Sequence, residues 1–187
     1  MVRKNALRVI GGRFRGRIIR FHDAPGLRPT PNRVRETVFN WLRPDLPGAR
    51  CLDLFAGSGA LGIEALSQGA REVTLVEANR RAAASILATL TSFGAIDAQV
   101  INDKAGRFLK QTAKPFDIVF LDPPFHKNLI EPVCAELDAK GWLKPGALVY
   151  IEAEQRIQSG ELPENWRLLK NKTTGEVVYH LFQAHAR

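Results

Sequence analysis

A chain of 187 residues, 45% hydrophobic and 25% charged, is long enough for one domain with a sizeable core and at most a small appendage. No apolar run approaches the roughly 18 residues of a membrane span, no apolar segment follows the basic first residues, and neither the two cysteines nor the four histidines show metal-ligand spacing. A cytoplasmic protein without membrane or metal is therefore expected, with Cys51 and Cys134 in its core. The formal net charge of +8 is lopsided: residues 1–50 carry 12 Lys/Arg against 3 Asp/Glu, and the rest of the chain carries 15 against 16.

The first elements are short. Arg8-Val9-Ile10-Gly11-Gly12 and Arg17-Ile18-Ile19-Arg20-Phe21 read as two strands around a turn, giving a small N-terminal β-hairpin appendage over residues 1–28. Thr30 is placed to N-cap a helix whose first residue is Pro31, with Val34, Val38, Trp41 and Leu42 on its buried face. From Arg50 strand and helix alternate. Cys51–Leu54, Glu72–Glu77, Gln99–Ile101, Phe116–Leu121 and Ala147–Glu152 read as strands, with helices over Ala60–Ser67, Asn79–Phe93, Ala105–Lys110 and Leu129–Lys140 between them. Trp166–Lys172 and Val177–Gln183 then form a closing hairpin. The alternation predicts an α/β, doubly wound, mostly parallel sheet over residues 29–187.

Two motifs fall at strand ends, where open α/β sheets place their ligand crevice. Gly57-Ser58-Gly59-Ala60-Leu61-Gly62 is a G-x-G-x-x-G loop between strand and helix, and Glu77 follows 20 residues after Gly57. Asp53 ends the strand before that loop. Its carboxylate would repel a pyrophosphate and favours a cationic ligand, so S-adenosylmethionine fits better than a dinucleotide. Glu77 is then placed for ribose hydroxyls, and Asp103, at the end of the third strand, for the adenine amine or for a helix cap.

Asp122-Pro123-Pro124-Phe125 ends the fourth strand. It offers a carboxylate, a carbonyl with no neighbouring N–H to compete, and a flat ring. Those groups suit a planar base carrying an exocyclic amine. The arginine-rich start adds a partner, because guanidinium groups bind phosphates bidentately and stack on bases. Arg13, Arg15, Arg17, Arg28, Thr30, Arg33 and Arg35 are the candidate RNA contacts. His126 is expected in an exposed loop.

Asp53-Leu54-Phe55-Ala56-Gly57-Ser58-Gly59 resembles motif I of class I adenosylmethionine-dependent methyltransferases, and Asp122-Pro123-Pro124-Phe125 resembles their amino-methylating motif IV. With Arg8-Val9-Ile10-Gly11-Gly12, Arg15-Gly16-Arg17, Arg28-Pro29-Thr30 and Arg33-Val34-Arg35-Glu36, the chain is similar to the bacterial 16S rRNA guanine-N2 methyltransferase D family over nearly its whole length. The resemblance implies a seven-stranded Rossmann-like sheet with an antiparallel end and S-adenosylmethionine as cofactor. It also implies methyl transfer to a guanine N2 in 16S rRNA, either free or in a 30S subunit assembly particle. Asp122, Pro123 and Phe125 would then be catalytic, and Asp53, Gly57, Ser58, Gly59, Glu77 and Asp103 would bind the cofactor. A DNA or RNA adenine-N6 methyltransferase is the alternative that motif IV leaves open.

Overall fold

The computed structural model describes residues 4–22, 30–158 and 160–185. Two short strands, β1 (Lys4–Arg8) and β2 (Ile18–His22), pair antiparallel around a 3-10 turn at Gly12–Phe14. Helix α1 (Asn32–Leu42) leads to the main sheet. The chain then runs through β3 (Arg50–Asp53), α2 (Ala60–Ser67), β4 (Glu72–Val76), α3 (Arg80–Phe93), β5 (Ala98–Ile101), α4 (Ala105–Phe108), β6 (Phe116–Leu121), α5 (Ile130–Ala139) and β7 (Leu143–Ala153). A hairpin of β8 (Trp166–Thr174) and β9 (Val177–Ala184) closes it.

The seven strands lie in the order β5-β4-β3-β6-β7-β9-β8. Strands β3 to β7 are parallel, while β9 runs antiparallel to both β7 and β8. The chain starts in the middle at β3, moves outward to β5, then returns to the other side of β3 as β6. That reversal is a topological switch point, and it opens a crevice above the carboxyl ends of β3 and β6.

Alternate residues of each buried strand face opposite layers. Cys51, Ile118, Phe120 and Tyr150 join one core cluster with α1, α2 and α3. Leu52, Val119, Leu121 and Ile151 join the other with Phe108, Cys134, Leu137 and Trp142.

Three local expectations shift. Residues Val9–Gly12 are not strand. The strand register ends at Arg8 opposite Ile18; Val9 still bonds the Arg17 carbonyl and the Gly16 amide, and the Ile10 and Gly11 amides turn to the Glu64 carboxylate at 2.9 and 2.8 Å. Thr30 does not cap α1: the helix starts at Asn32 behind Pro31 without a side-chain cap, and the Thr30 hydroxyl donates to Glu152 at 2.7 Å. The buried face of α1 is Val34, Arg35, Val38, Phe39 and Leu42, with Trp41 only partly covered.

The hairpin is sewn to the main body. Val9, Phe14 and Ile19 belong to the same core cluster as α2 and α3. Ser67 donates to the Gly11 carbonyl at 2.5 Å and accepts the Phe14 amide at 2.9 Å. At Gly12, φ is +74°, and a Cβ would sit 1.8 Å from the Ser67 carbonyl oxygen. Only glycine closes that contact.

Candidate active site

Asp53 ends β3 beneath the glycine loop. It is 1% exposed. Its Oδ2 accepts the Gly62 amide at 3.0 Å, while Oδ1 is buried with no hydrogen-bond partner among the described residues. Burial, more than repulsion from Glu77 and Glu152, pushes its pKa up to about 7 against the pull of the Gly62 N–H.

The loop itself is fixed by its backbone. Gly57 and Gly59 have φ of +54° and +77°, and Gly59 opens α2. A Cβ on Gly62 would lie 2.7 Å from the Leu75 side chain, so this glycine lets α2 close on β4. Ser58 is buried, with its hydroxyl accepting the Ala60 amide at 3.3 Å.

Glu77, just past β4, holds the loop from the other side. Its two carboxylate oxygens accept Gly57 N–H at 2.7 Å and Asn79 N–H at 2.6 Å. Each oxygen keeps acceptor capacity for a ligand hydroxyl. Asn102 donates to the Glu77 and Ala78 carbonyls and so ties β5 to this turn. Asp103 accepts the Lys104 amide at 2.8 Å and pairs with Arg107 at 3.4 Å.

Across the switch point, Asp122 follows β6. It stands partly exposed at the crevice mouth, and its carboxylate accepts no hydrogen bond among the described residues. Burial, then the nearby Glu152 and Asp53 charges, raise its pKa well above the usual carboxylate value. Pro123 is buried and Phe125 half-buried. The turn continues through His126 and Asn128, both at positive φ (60° and 48°). Asn and His enter this left-handed region more readily than most side chains. His126 is braced by Glu154, which accepts its amide and pairs with its Nδ1 at 2.7 Å.

Two carboxylates central to the geometry escaped the sequence reading. Glu152, 6% exposed at the end of β7, accepts hydroxyls from Thr30 at 2.7 Å and Tyr150 at 2.9 Å. Glu64, in the middle of α2, gathers the Ile10 and Gly11 amides, Gln68 and Arg35. A lone glutamate among the apolar residues of Ala60–Ser67 was the available clue.

The arginines divide. Arg35 is 0% exposed and bonds Glu64, Asn32 and the Arg8 carbonyl, so it is a core residue rather than an RNA contact. Thr30 is 4% exposed and spent on Glu152, so it too is a structural residue rather than an RNA contact. Arg17 donates to the Ser92 and Phe93 carbonyls at the end of α3 and lies 4.0 Å over the Phe93 ring. Arg13 pairs with Asp97. Both therefore sit at the end of the sheet away from the crevice. Arg15 and Arg33 are exposed, and Arg33 opens α1 three residues after Thr30, beside the crevice. Arg28 lies outside the described residues.

Asp53, Asp122 and Glu152 thus stand at the ends of three adjacent strands with acceptor capacity unspent. Among the described residues no group of three or more His, Cys, Asp or Glu side chains is placed to hold a metal ion. An acceptor-rich crevice of raised carboxylates suits a cationic ligand and an amine. The orphaned Asp53 oxygen, the glycine cradle and Glu77 fit S-adenosylmethionine, which carries an ammonium, a sulfonium and ribose hydroxyls.

Comparison with known proteins decides the family. Residues 7–183 match the family model described as "Conserved hypothetical protein 95". The ribosomal RNA small subunit methyltransferase D of Escherichia coli strain K12 is 46% identical over 181 residues, covering 97% of this chain and 91% of that protein. The chain belongs to the ribosomal RNA small subunit methyltransferase D family. The Haemophilus influenzae member is 47% identical over 184 residues, covering 96% of this chain and 95% of its own. A solved Escherichia coli structure at 45% identity covers 98% of this chain and all of its own with a TM-score of 0.89. Within the family fold, the seven-stranded sheet and its antiparallel end are as the resemblance implied. No helix among the described residues is long and apolar enough to cross a membrane.

Proposed function

We infer that this protein is an S-adenosylmethionine-dependent methyltransferase that modifies N2 of guanine 966 in 16S rRNA, with the rRNA, free or in a 30S assembly particle, as its substrate. The observation that carries the reading is the Asp122–Phe125 turn. It presents an unpartnered carboxylate and a proline carbonyl one strand away from the unsatisfied oxygen of Asp53.

When bound, the cofactor supplies an electrophilic methyl group. Asp53 and Glu77 orient it from below: Asp53 through its cationic groups, Glu77 through ribose hydroxyls on a loop it already holds. Ser58 and the glycines shape the cradle, and Asp103 flanks the adenine. Asp122 and the Pro123 carbonyl accept the two N–H bonds of the guanine 2-amino group. That fixes the amine in line and raises electron density on a nitrogen whose lone pair is delocalised into the ring. Phe125 stacks on the base, which must be unpaired or flipped to enter. As the N–C bond forms at the expense of the methyl–sulfur bond, one N–H proton passes to Asp122, which is open enough to release it to solvent. Positioning and preorganised acceptors supply most of the rate. Arg15, Arg28 and Arg33 serve the RNA backbone.

The test uses rRNA and 30S particles from cells lacking the protein, incubated with it and methyl-labelled cofactor. Label is expected at one guanine N2. Label in adenine, or in duplex DNA in preference to rRNA, overturns the reading.

A further inference from the structure

We propose that Glu152 reads the base as guanine: its carboxylate accepts the purine N1–H while the 2-amino group lies on Asp122 and the Pro123 carbonyl. The proposal rests on the guanine N2 reading above and adds what motif IV alone does not provide. Two acceptors and an aromatic ring hold any exocyclic amine, that of adenine included. The difference lies in the neighbouring ring atom. Beside its amine, guanine presents a donor, N1–H, whereas adenine presents an acceptor, N1.

The placement follows from the sheet. Strands β6 and β7 are parallel with Phe120 opposite Tyr150 and Leu121 opposite Ile151. The next pair in that register is Asp122 and Glu152. Paired residues of parallel strands face the same side, about 4.8 Å apart. Two carboxylates so spaced match adjacent donors on one base edge.

Glu152 is built for a fixed role. It is buried, and the Thr30 and Tyr150 hydroxyls both donate to one oxygen, Oε1. Among the described residues nothing donates to Oε2. Thr30 comes from the segment just before α1 and Tyr150 from β7, so two elements position one carboxylate. Burial raises the Glu152 pKa and the two hydroxyls pull against that rise, whereas Asp122 has no such donor. A carboxylate acceptor beside adenine N1 would set lone pair against lone pair, with no proton between them.

The test varies the base and the residue together. RNA substrates carry either guanine or 2-aminopurine at the target. The analogue keeps the 2-amino group and lacks N1–H. A site built on a substrate N–H rejects an analogue without it strongly, so wild-type kcat/KM should favour guanine by about 100-fold or more. In E152Q the preference should shrink to within about 10-fold, because a glutamine amide can turn its NH2 toward the analogue's N1. Cofactor Kd should not move. An unchanged guanine preference in folded E152Q, or a wild-type enzyme indifferent to the analogue, overturns the proposal. If E152Q does not fold, T30V and Y150F replace it, each removing one hydroxyl from Oε1. Both should lower the preference at constant cofactor Kd, and an unchanged preference in both overturns it. Failure of the wild-type enzyme to methylate the guanine substrate at all would instead sink the underlying N2 reading.

Discussion

Replacing Asp53 with asparagine should stabilise the ligand-free protein at pH 8 while removing most of its response to S-adenosylmethionine. Asp53 is buried with one backbone N–H on Oδ2 and nothing on Oδ1, and its pKa rises from 3.8 to about 7. The folded chain therefore binds this proton more tightly than the unfolded chain. The stabilisation is complete below pH 3.8 and is lost as pH rises through 7. A roughly 1000-fold difference in proton affinity corresponds to about 4 kcal/mol lost by pH 8. D53N removes the charge but leaves a buried amide N–H without an acceptor, costing about 1–3 kcal/mol. The balance is a gain of about 1–3 kcal/mol at pH 8 and a loss at pH 4, where the native carboxyl is already neutral. Urea unfolding at both pH values, with and without S-adenosylmethionine, measures each part. In the parent the cofactor adds stability by mass action, and in D53N it should add little. A ligand-free variant less stable than its parent at pH 8, or equal cofactor stabilisation of the two, would refute the reasoning.

Asp122→Asn should lower kcat by about 100-fold or more, the scale of losing a group aligned with the reacting centre, and leave cofactor Kd within about two-fold by calorimetry. Glu64→Gln leaves the Arg35 guanidinium buried without its counter-charge and should cost about 3–5 kcal/mol. Native-state amide exchange should show the β1–β2 hairpin loosening first. Charge reversal at Arg33 should weaken RNA binding and reduce the slope of log K against log salt by about 1. The same change at Arg17 should leave that slope alone and lower the melting temperature, because Arg17 is spent on the end of α3.

Much of this fold is legible because its cues are local. Near-continuous apolar runs mark β3, β6 and β7, and a partly alternating one marks β4. Asn79 and Gly94 cap α3 as their residue types suggest, Asn79 accepting two amides and Gly94 turning left-handed. The two motifs are legible for the same reason: each occupies a few consecutive residues at a strand end. What stays hidden is long-range pairing. Nothing adjacent to Thr30 announces that its partner is Glu152, 122 residues away. The arginine-rich start misleads similarly. Composition counts charges, whereas function depends on which charges are already paired. Arg35 answers Glu64, Arg13 answers Asp97, and the Gly11–Gly12 pair exists to seat the hairpin on α2. The N-terminal blocks that look most like RNA-binding sequence are in good part docking surface.

The end of β7 shows why such pairing matters for catalysis. Motif IV carries no means of fixing its own shape: its prolines restrict φ, but the chain beyond Phe125 must still reverse toward α5. Glu152 on β7 and Glu154 just past its end bracket it. Glu154 clamps His126, which stands at positive φ, by backbone and side chain. Glu152 stands beside Asp122 and draws Thr30, hence the start of α1 and Arg33, to the same edge of the crevice. One strand thus sets the pose of the amine acceptors, the charge environment of Asp122 and the approach of an exposed arginine for RNA. An active site assembled at a topological switch point inherits this property: the residues that carry the reaction sit on one strand, and their precision comes from the next.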